Sequence, residues 1–368
     1  MTMNIPVQQV RDQITSVLTA WGMEPEPVRT TAEVMVDTDL AGIDSHGISM
    51  LMLYEQTKIR GELNPRARPR IVRQNLATAL IDADAGLGHP ASVMAMRLAM
   101  DKAGSAGVGM VSVRNSAHFG AAGYYAALAP KAGLIGIVTS STRTLSVVPT
   151  RASVPVLGTN PIAFAAPARR NRPFLLDMST STVAANKVKV YDLNRRPLPP
   201  GWVLDEHGLP VTDSAAAMEY LFHSHIGGLT PLGGAPEMGG HKGYGLGVMV
   251  QILAATLGGG SFSPIRKRTQ KAGEPDNLGH SFMAIDPKAF RPDGGFEEEV
   301  DELVDFLHTA KPSVAGTPVL VAGDPEAVAR ERRLREGIPI PQALADQIRA
   351  ICGRCGAPFV LEPGPHLG

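Results

Sequence analysis

The chain has 368 residues, which is long enough for a sizeable hydrophobic core arranged as two lobes or as one large elaborated domain. Lysine and arginine together number 35, as do aspartate and glutamate, so the formal net charge is zero and no basic surplus indicates a nucleic-acid partner. Aromatic residues make up only 5% of the chain, which leaves few rings for stacking on bases.

The first part of the chain, as far as Pro65, is predicted to be helical. Apolar side chains recur there at helical spacing in three segments, and Gly61 marks the end of the third. The predicted helices run from Val7 to Trp21, over 27–42 and from about Ile48 to Arg60.

The pattern of predicted secondary structure changes at about residue 70, where short β-rich runs begin to alternate with alanine-rich helical runs. This alternation is typical of an α/β core. The predicted strands are 78–84, 109–115, 134–140, 161–167 and 173–179, with helices over 90–103 and 120–132 between them.

The last third of the chain returns to helices. Its predicted elements are an apolar helix at 244–259, a strand at 280–286 and amphipathic helix over 296–310 and 325–351. Because both chain ends are helical, we expect residues 1–70 and 310–368 to pack together as one lobe. Residues 71–309 would then form an α/β domain.

The two cysteines, Cys352 and Cys355, lie near the C-terminus. Their spacing suits a redox pair or simply the end of an amphipathic helix. The second interpretation is favoured because no further cysteine pair exists to complete a zinc site. The N-terminus lacks a basic segment followed by an apolar run, and no stretch approaches the ~20 apolar residues of a membrane span. We therefore expect a cytosolic protein without a metal or membrane partner.

Polar residues gather where the predicted strands and helices end. Asp44-Ser45-His46-Gly47 lies between two helices, where it forms either a capping turn or a proton donor. His118 follows a predicted strand, at the sheet edge where ligands collect in α/β proteins. Lys242 lies at the N-terminal end of the apolar helix. Because a lysine there opposes the helix dipole, either a bound phosphate or solvent has to compensate.

One glycine motif imitates a dinucleotide-binding turn. Residues 86–91 (GLGHPA) follow a strand and precede a helix. Such a turn also needs an acidic residue at the end of the next strand, whereas that strand ends here in Arg114 and Asn115. We interpret the motif as an ordinary loop-to-helix connection.

Seven segments in this order resemble the type-2 malate/L-lactate dehydrogenase family, which includes sulfolactate, ureidoglycolate and hydroxycarboxylate dehydrogenases and related ketimine reductases. They are DSHG (44–47), NSAHFG (115–120), GTNP (158–161), LDMSTS (176–181), PLGG (231–234), GGHKGYGL (239–246) and REGIPIP (335–341). The resemblance implies an α/β, non-Rossmann fold with a central mixed-sheet domain and a helical lobe made from both chain ends. It also implies NAD or NADP as cofactor, a small 2-oxo or 2-hydroxy acid as substrate, and a homodimer.

The resemblance also implies roles for individual residues. His118 matches the catalytic acid/base of some members, and His46 with Ser45 matches the proton donor of others. Thr159 matches a substrate-contacting residue. The implied cofactor contacts are His46, Gly120, Ala121, Ala122, Thr142, Leu176, Asp177, Met178, Ser179, His241, Lys242, Asn277, Gly323, Asp324, Pro325 and Glu326.

Two positions depart from the family pattern. Many members carry an arginine that grips the substrate carboxylate where this chain has Met50, and a Pro-x-Gly-Gly turn where it has PTRAS (149–153). Arg151 or Arg143 could replace the lost cation, or Met50 could select a bulkier, more apolar acid. The predicted reaction interconverts a 2-hydroxy and a 2-oxo acid. The alternatives are cyclic ketimine reduction and a cofactor-binding protein without catalysis.

Overall fold

The computed structural model describes residues 2–361. Its strands are β1 (Thr2–Ile5), β2 (Arg70–Gln74), β3 (Thr78–Asp82), β4 (Val108–Ser116), β5 (Ile135–Ser140), β6 (Ile162–Ala166), β7 (Phe174–Met178), β8 (Val203–Leu204), β9 (Gly228–Leu229), β10 (Leu278–Ile285) and β11 (Ile338–Pro341). Its helices are α1 (Val7–Ala20), α2 (Pro25–Leu40), α3 (Leu51–Ile59), α4 (Gly88–Ala106), α5 (Ala122–Ala126), α6 (Ala185–Leu193), α7 (Ser214–Phe222), α8 (Gly240–Ala254), α9 (Ser263–Thr269), α10 (Phe296–His308), α11 (Asp324–Glu336) and α12 (Gln342–Cys355).

Seven strands form a mixed sheet in the order β2-β3-β4-β10-β5-β6-β7. β3 and β4 are parallel and joined through α4, whereas the other neighbours are antiparallel. At the centre Phe282 of β10 stands between Val111 and Val138, and all three are fully buried. The predicted α/β fold with a mixed, non-Rossmann sheet is confirmed.

The two chain ends share one hydrophobic cluster. Strand β1 pairs antiparallel with β11, and Leu18 of α1 and Ile348 of α12 are buried in the same cluster. The Gln13 side chain joins the ends further, because its Oε1 accepts the Val360 N–H at 2.8 Å. The expectation of helix from the start of the chain was wrong for β1, since a four-residue strand forms only with a partner that the local sequence does not contain.

The expected continuous helix over 325–351 was also wrong. Helix α11 ends before Gly337, which has a φ of 90°. A Cβ at this position would lie 2.8 Å from the carbonyl oxygen of Ile5, so the close approach of β1 requires glycine. Pro339 and Pro341 then hold the chain extended as β11 before α12 begins.

A smaller apolar cluster lies between β7 and α8 in the sequence and was not anticipated. Helices α6 and α7 and the pair β8–β9 form it, with Val188, Val203 and Leu229 fully buried. Val147 and Leu157, from the connection between β5 and β6, belong to the same cluster. It therefore packs against the loops that follow β5.

Among residues 2–361 no single helix is long and apolar enough to cross a membrane. The bent pair Gly240–Gly258 and Ser263–Thr269, with 52° between its parts, passes such a test on length and composition only. Cys352 is buried in the helical lobe, where Gln13 Nε2 donates to its Sγ at 3.1 Å, and both thiols are free.

Candidate active site

The predicted functional segments meet at one edge of the sheet. Antiparallel pairing sets Ser116 at the end of β4 against the start of β10, and Ser140 at the end of β5 beside the same strand. Ile162, at the start of β6, pairs with both Thr139 and Met178. The ends of β4, β5 and β7 and the beginnings of β6 and β10 therefore share this edge, which carries residues 115–120, 140–142, 158–161 and 176–181.

His118 is half-buried in the loop after β4, with its Nδ1 held from two sides. The Tyr54 hydroxyl of α3 lies 2.9 Å from Nδ1, and the Gly120 N–H donates to the same atom at 3.3 Å. Because an amide N–H can only donate, this contact favours the neutral ring that carries its proton on Nε2. Burial, followed by the neighbouring His46, His89 and His280, holds the pKa of His118 well below its usual value.

His46 faces His118 across the site, with the ring centroids 5.5 Å apart. Ser45 Oγ lies 2.7 Å from His46 Nδ1, and burial lowers the pKa of His46. The structure thus brings together all three residues predicted to be catalytic. Both imidazoles favour the neutral form, in which each can accept a proton.

The turn that carries His46 is fixed by a buried carboxyl. Asp39 Oδ2 accepts the Ile48 N–H at 2.8 Å, and burial raises the pKa of Asp39 to about 8. A Cβ on Gly47 would lie only 1.8 Å from Asp39 Oδ1, so only glycine fits there. Arg333 of α11 holds the turn from the other side, with its Nη2 3.1 Å from Asp44 Oδ2.

Two further buried histidines, His89 and His280, lie near His118, and neither was predicted to belong to the site. His280 is bonded to Ser140 Oγ at 2.8 Å and to Ser116 Oγ at 2.9 Å, so it ties the ends of β4 and β5 together. His89 Nε2 lies 3.5 Å from the Tyr54 hydroxyl. Tyr54 was missed as well, although it follows Met50 by one helical turn, the spacing that places two side chains on the same helix face.

The predicted substrate residues are spread more widely. The backbone of Thr159 is tied to β7, because its carbonyl accepts the Thr180 N–H at 2.8 Å. The Thr159 hydroxyl makes no hydrogen bond within the described chain. Met50 is half-buried against the apolar cluster of the helical lobe. Thr159 and Met50 are therefore both available to contact a ligand.

Within residues 2–361, neither arginine considered as a replacement cation contacts His46 or His118, the two histidines predicted to be catalytic. Arg143 is already paired, 3.2 Å from both Glu62 and Asp276. Arg151 is exposed and adopts a φ of 70°, which is unusual for a residue other than glycine. It lines a separate cleft of about 260 Å³ beside His207.

Three of the predicted cofactor segments converge on Asp177. The Gly123 N–H, in the helix that follows Gly120, Ala121 and Ala122, donates to Asp177 Oδ2 at 2.7 Å. Gly323 packs on β7 with its ideal Cβ position 3.4 Å from Leu175 Cβ, and the charge of Glu326, three residues further on, acts on Asp177. Burial, and then Glu326, raises the pKa of Asp177 to about 6, although Asp177 keeps part of its surface exposed to solvent.

The remaining cofactor candidates differ in their surroundings. Thr142 Oγ1 donates to Asn160 Oδ1 at 3.2 Å. The Asn277 side chain makes three hydrogen bonds inside the protein, to the backbone of Asn115 and Gly259 and to Ser261 Oγ. Leu176, Met178 and Ser179 are half-buried on β7 and just after it, whereas Asp324 bonds to His308 at 2.8 Å.

His241 and Lys242 are exposed in the first turn of α8 and form no ion pair within the described chain. The PLGG turn (231–234) packs closely against this helix, since a Cβ on Gly243 would lie 2.2 Å from the Leu232 carbonyl oxygen. A dinucleotide offers ribose hydroxyls, phosphates and flat rings. An unpaired lysine suits its phosphates, and the free acceptors of Asp177 and Glu326 suit a ribose. These groups therefore fit a nicotinamide dinucleotide.

Comparison with known proteins gives likenesses along nearly the whole chain. A family model described as malate/L-lactate dehydrogenase matches residues 5–349. The malate dehydrogenase of Pyrococcus horikoshii is 38% identical over 353 residues, covering 96% of this chain and 95% of the relative. The structure of malate dehydrogenase from Entamoeba histolytica matches with a TM-score of 0.91 at 30% identity, over 97% of this chain and 99% of that one. Δ1-Piperideine-2-carboxylate reductase from Pseudomonas syringae matches with a TM-score of 0.79 at 31% identity, over 95% and 99% of the two chains.

Proposed function

Because this chain belongs to the malate/L-lactate dehydrogenase family, we propose that it interconverts a 2-hydroxy acid and a 2-oxo acid by hydride transfer with a nicotinamide cofactor. The observation that carries the proposal is the position of His118. Its Nδ1 is held by Tyr54 and Gly120, at the sheet edge shared by the segments around Asp177. The ring is therefore fixed in orientation, and Nε2 is left to exchange a proton with a substrate.

The nicotinamide ring, when bound, supplies or accepts the hydride. Lys242 would hold the phosphates, and Asp177 with Glu326 a ribose. When a 2-hydroxy acid is oxidised, His118 takes the hydroxyl proton on Nε2, which requires the neutral tautomer whose own proton lies on Nδ1 and is donated to the Tyr54 hydroxyl. In the reverse direction the charged ring returns the Nε2 proton to the carbonyl oxygen. To return it, His118 has to be charged first, and the substrate carboxylate favours that form because an opposite charge nearby raises the pKa of an imidazole.

The test compares the two histidines of the site. His118→Ala should lower kcat by ~10² or more, as loss of a general acid does, while NADH binding measured by fluorescence changes little. His207→Ala, at an exposed histidine remote in the fold, is the matched control and should keep full activity. If His46→Ala loses activity while His118→Ala keeps it, His46 is the proton donor. If both variants stay active, the mechanism is wrong.

For the substrate we propose a bulky, largely apolar 2-oxo acid. Met50 offers an adaptable apolar surface, and Arg143 is already paired with two acids. Cyclic ketimine reduction is a second candidate, supported by the likeness to the Pseudomonas syringae reductase. A screen of 2-oxo acids and cyclic imines, followed by nicotinamide absorbance, separates the two. No turnover of any of them would favour a cofactor-binding protein without catalysis.

For the cofactor we propose NAD rather than NADP. The charge of Glu326 acts on the carboxyl of Asp177, and neither residue forms an ion pair within residues 2–361. Carboxylates accept hydrogen bonds from ribose hydroxyls but repel the 2′-phosphate of NADP, which needs a cation instead.

We also propose that the chain forms a homodimer. Leu246, Met249 and Ile252 are exposed apolar side chains of α8, and such faces commonly mark protein interfaces. Light scattering after gel filtration measures the mass in solution, and Ile252→Glu should shift it towards the monomer. A monomeric wild type contradicts the proposal.

A further inference from the structure

Two buried side chains, Tyr54 and His89, stand behind His118. The Tyr54 hydroxyl lies 2.9 Å from His118 Nδ1 and 3.5 Å from His89 Nε2. Tyr54 is 1% exposed and His89 is fully buried. The hydroxyl is therefore shielded from water and stands between two imidazole nitrogens.

The packing of these rings depends on a glycine. The Tyr54 and His89 rings meet edge to face, with centroids 5.7 Å apart. Gly120 lies against the His89 ring in a left-handed conformation, and a Cβ there would stand 3.2 Å from His89 Nε2. The loop that carries His118 thus approaches His89 as closely as a glycine allows.

The hydroxyl can serve both charge states of His118. When the ring is neutral with its proton on Nε2, Tyr54 donates to Nδ1 beside the Gly120 N–H. When the ring is charged, Nδ1 carries a proton and needs an acceptor, and the hydroxyl oxygen is within reach. The Tyr54 hydroxyl must then donate its own hydrogen bond to another acceptor, and His89 Nε2 lies on its other side.

His89 can accept the hydrogen bond that the Tyr54 hydroxyl then donates. Burial, and then His280, lowers the pKa of His89 to about 3, so the ring is neutral and keeps one lone pair. Its Nδ1 is buried and has no hydrogen-bond partner within residues 2–361. No contact of Nδ1 therefore fixes the tautomer, and Nε2 is free to accept.

We propose that Tyr54 and His89 are positioning residues that allow His118 to become charged, with the Tyr54 hydroxyl changing from donor to acceptor and His89 accepting its hydrogen bond. No bond to a substrate is involved, and no proton leaves Tyr54, since burial raises the pKa of its hydroxyl above the usual value. The proposal rests on His118 being the proton carrier in the proposed function.

The first test is Tyr54→Phe, which keeps the buried ring and removes the hydroxyl. We expect kcat for 2-oxo acid reduction to fall by roughly 10–100-fold, the usual effect of removing a group that orients a catalytic one, with KM and NADH binding near wild type. The acidic group in the kcat–pH profile should titrate at a pH lower by about one unit, because the charged ring has lost its acceptor.

Tyr125→Phe is the matched control, because Tyr125 is equally buried nearby and donates its hydroxyl to the Phe119 carbonyl. It should leave the pH profile unchanged. At the second position, His89→Leu should move kcat and the profile in the same direction as Tyr54→Phe. His89→Gln places an acceptor near the former Nε2 and should restore most of the loss.

The outcomes separate this inference from the proposed function. If Tyr54→Phe keeps wild-type kcat and pH profile while His118→Ala is inactive, the positioning role is overturned and the proposed function stands. If His118→Ala is fully active, the proposed function itself fails. Should Tyr54→Phe not fold, the pair His89→Leu and His89→Gln decides, and equal activity of both overturns the inference.

Discussion

Replacing Gly47 with alanine tests how the catalytic turn is held. The added Cβ would stand 1.8 Å from Asp39 Oδ1 and 2.0 Å from its Cγ, so the carboxyl has to move. Asp39 is 2% exposed and accepts the Ile48 N–H, so its movement breaks a buried hydrogen bond as well. Overpacking costs about 1–3 kcal/mol, and leaving a buried amide unpaired costs a similar amount. We expect the free energy of unfolding to fall by about 2–6 kcal/mol, the sum of the two costs.

Urea denaturation measures this change, and kcat reports whether His46 has moved with the turn. Gly104→Ala is the matched control, because a Cβ at this position of α4 meets nothing within 4 Å. Alanine is the better helix former, so the control should gain up to about 1 kcal/mol. A Gly47→Ala protein with wild-type stability and kcat would refute the steric reasoning.

Three further predictions concern ligands. Lys242→Ala should weaken NADH binding by ~1–3 kcal/mol in a fluorescence titration, the range for a hydrogen bond to a charged group, and an unchanged Kd would mean that Lys242 only meets solvent. Met50→Arg should shift kcat/KM towards small diacids such as oxaloacetate and away from phenylpyruvate, because arginine binds a planar carboxylate through two parallel bonds. A wild type that already prefers oxaloacetate would contradict this. Asp177→Asn keeps an acceptor for the Gly123 N–H and should improve NADPH binding relative to NADH by roughly tenfold, or about 1.4 kcal/mol. Equal wild-type affinity for NADH and NADPH would contradict the proposed repulsion between the Asp177 carboxylate and the 2′-phosphate.

The sheet edge could be predicted from the sequence because strand ends are marked locally. The apolar run before Ser116 and the polar cluster around His118 locate one strand end, and the run before Asp177 locates another. That both ends share one edge follows from the strand order, which the motif order alone does not contain.

The surroundings of His118 could not be predicted in the same way. Tyr54 occurs within an apolar helical segment, where an aromatic residue is expected to be core. Its contact with His118 joins residues 64 apart in the chain. His89 belongs to a glycine motif that was interpreted only as a helix start, which it is, and its contact with Tyr54 joins residues 35 apart in the chain. Long-range pairing also explains why β1 and the small cluster of α6 and α7 were missed.

The ion pair between Arg333 and Asp44 connects residues 289 apart in the chain. During translation the arginine that secures the DSHG turn is made 289 residues after Asp44. The sheet between them can fold first, since domains generally fold as units during synthesis. A ribosome-bound nascent chain would therefore carry His46 in an incompletely fixed turn until α11 has been released and has docked against it.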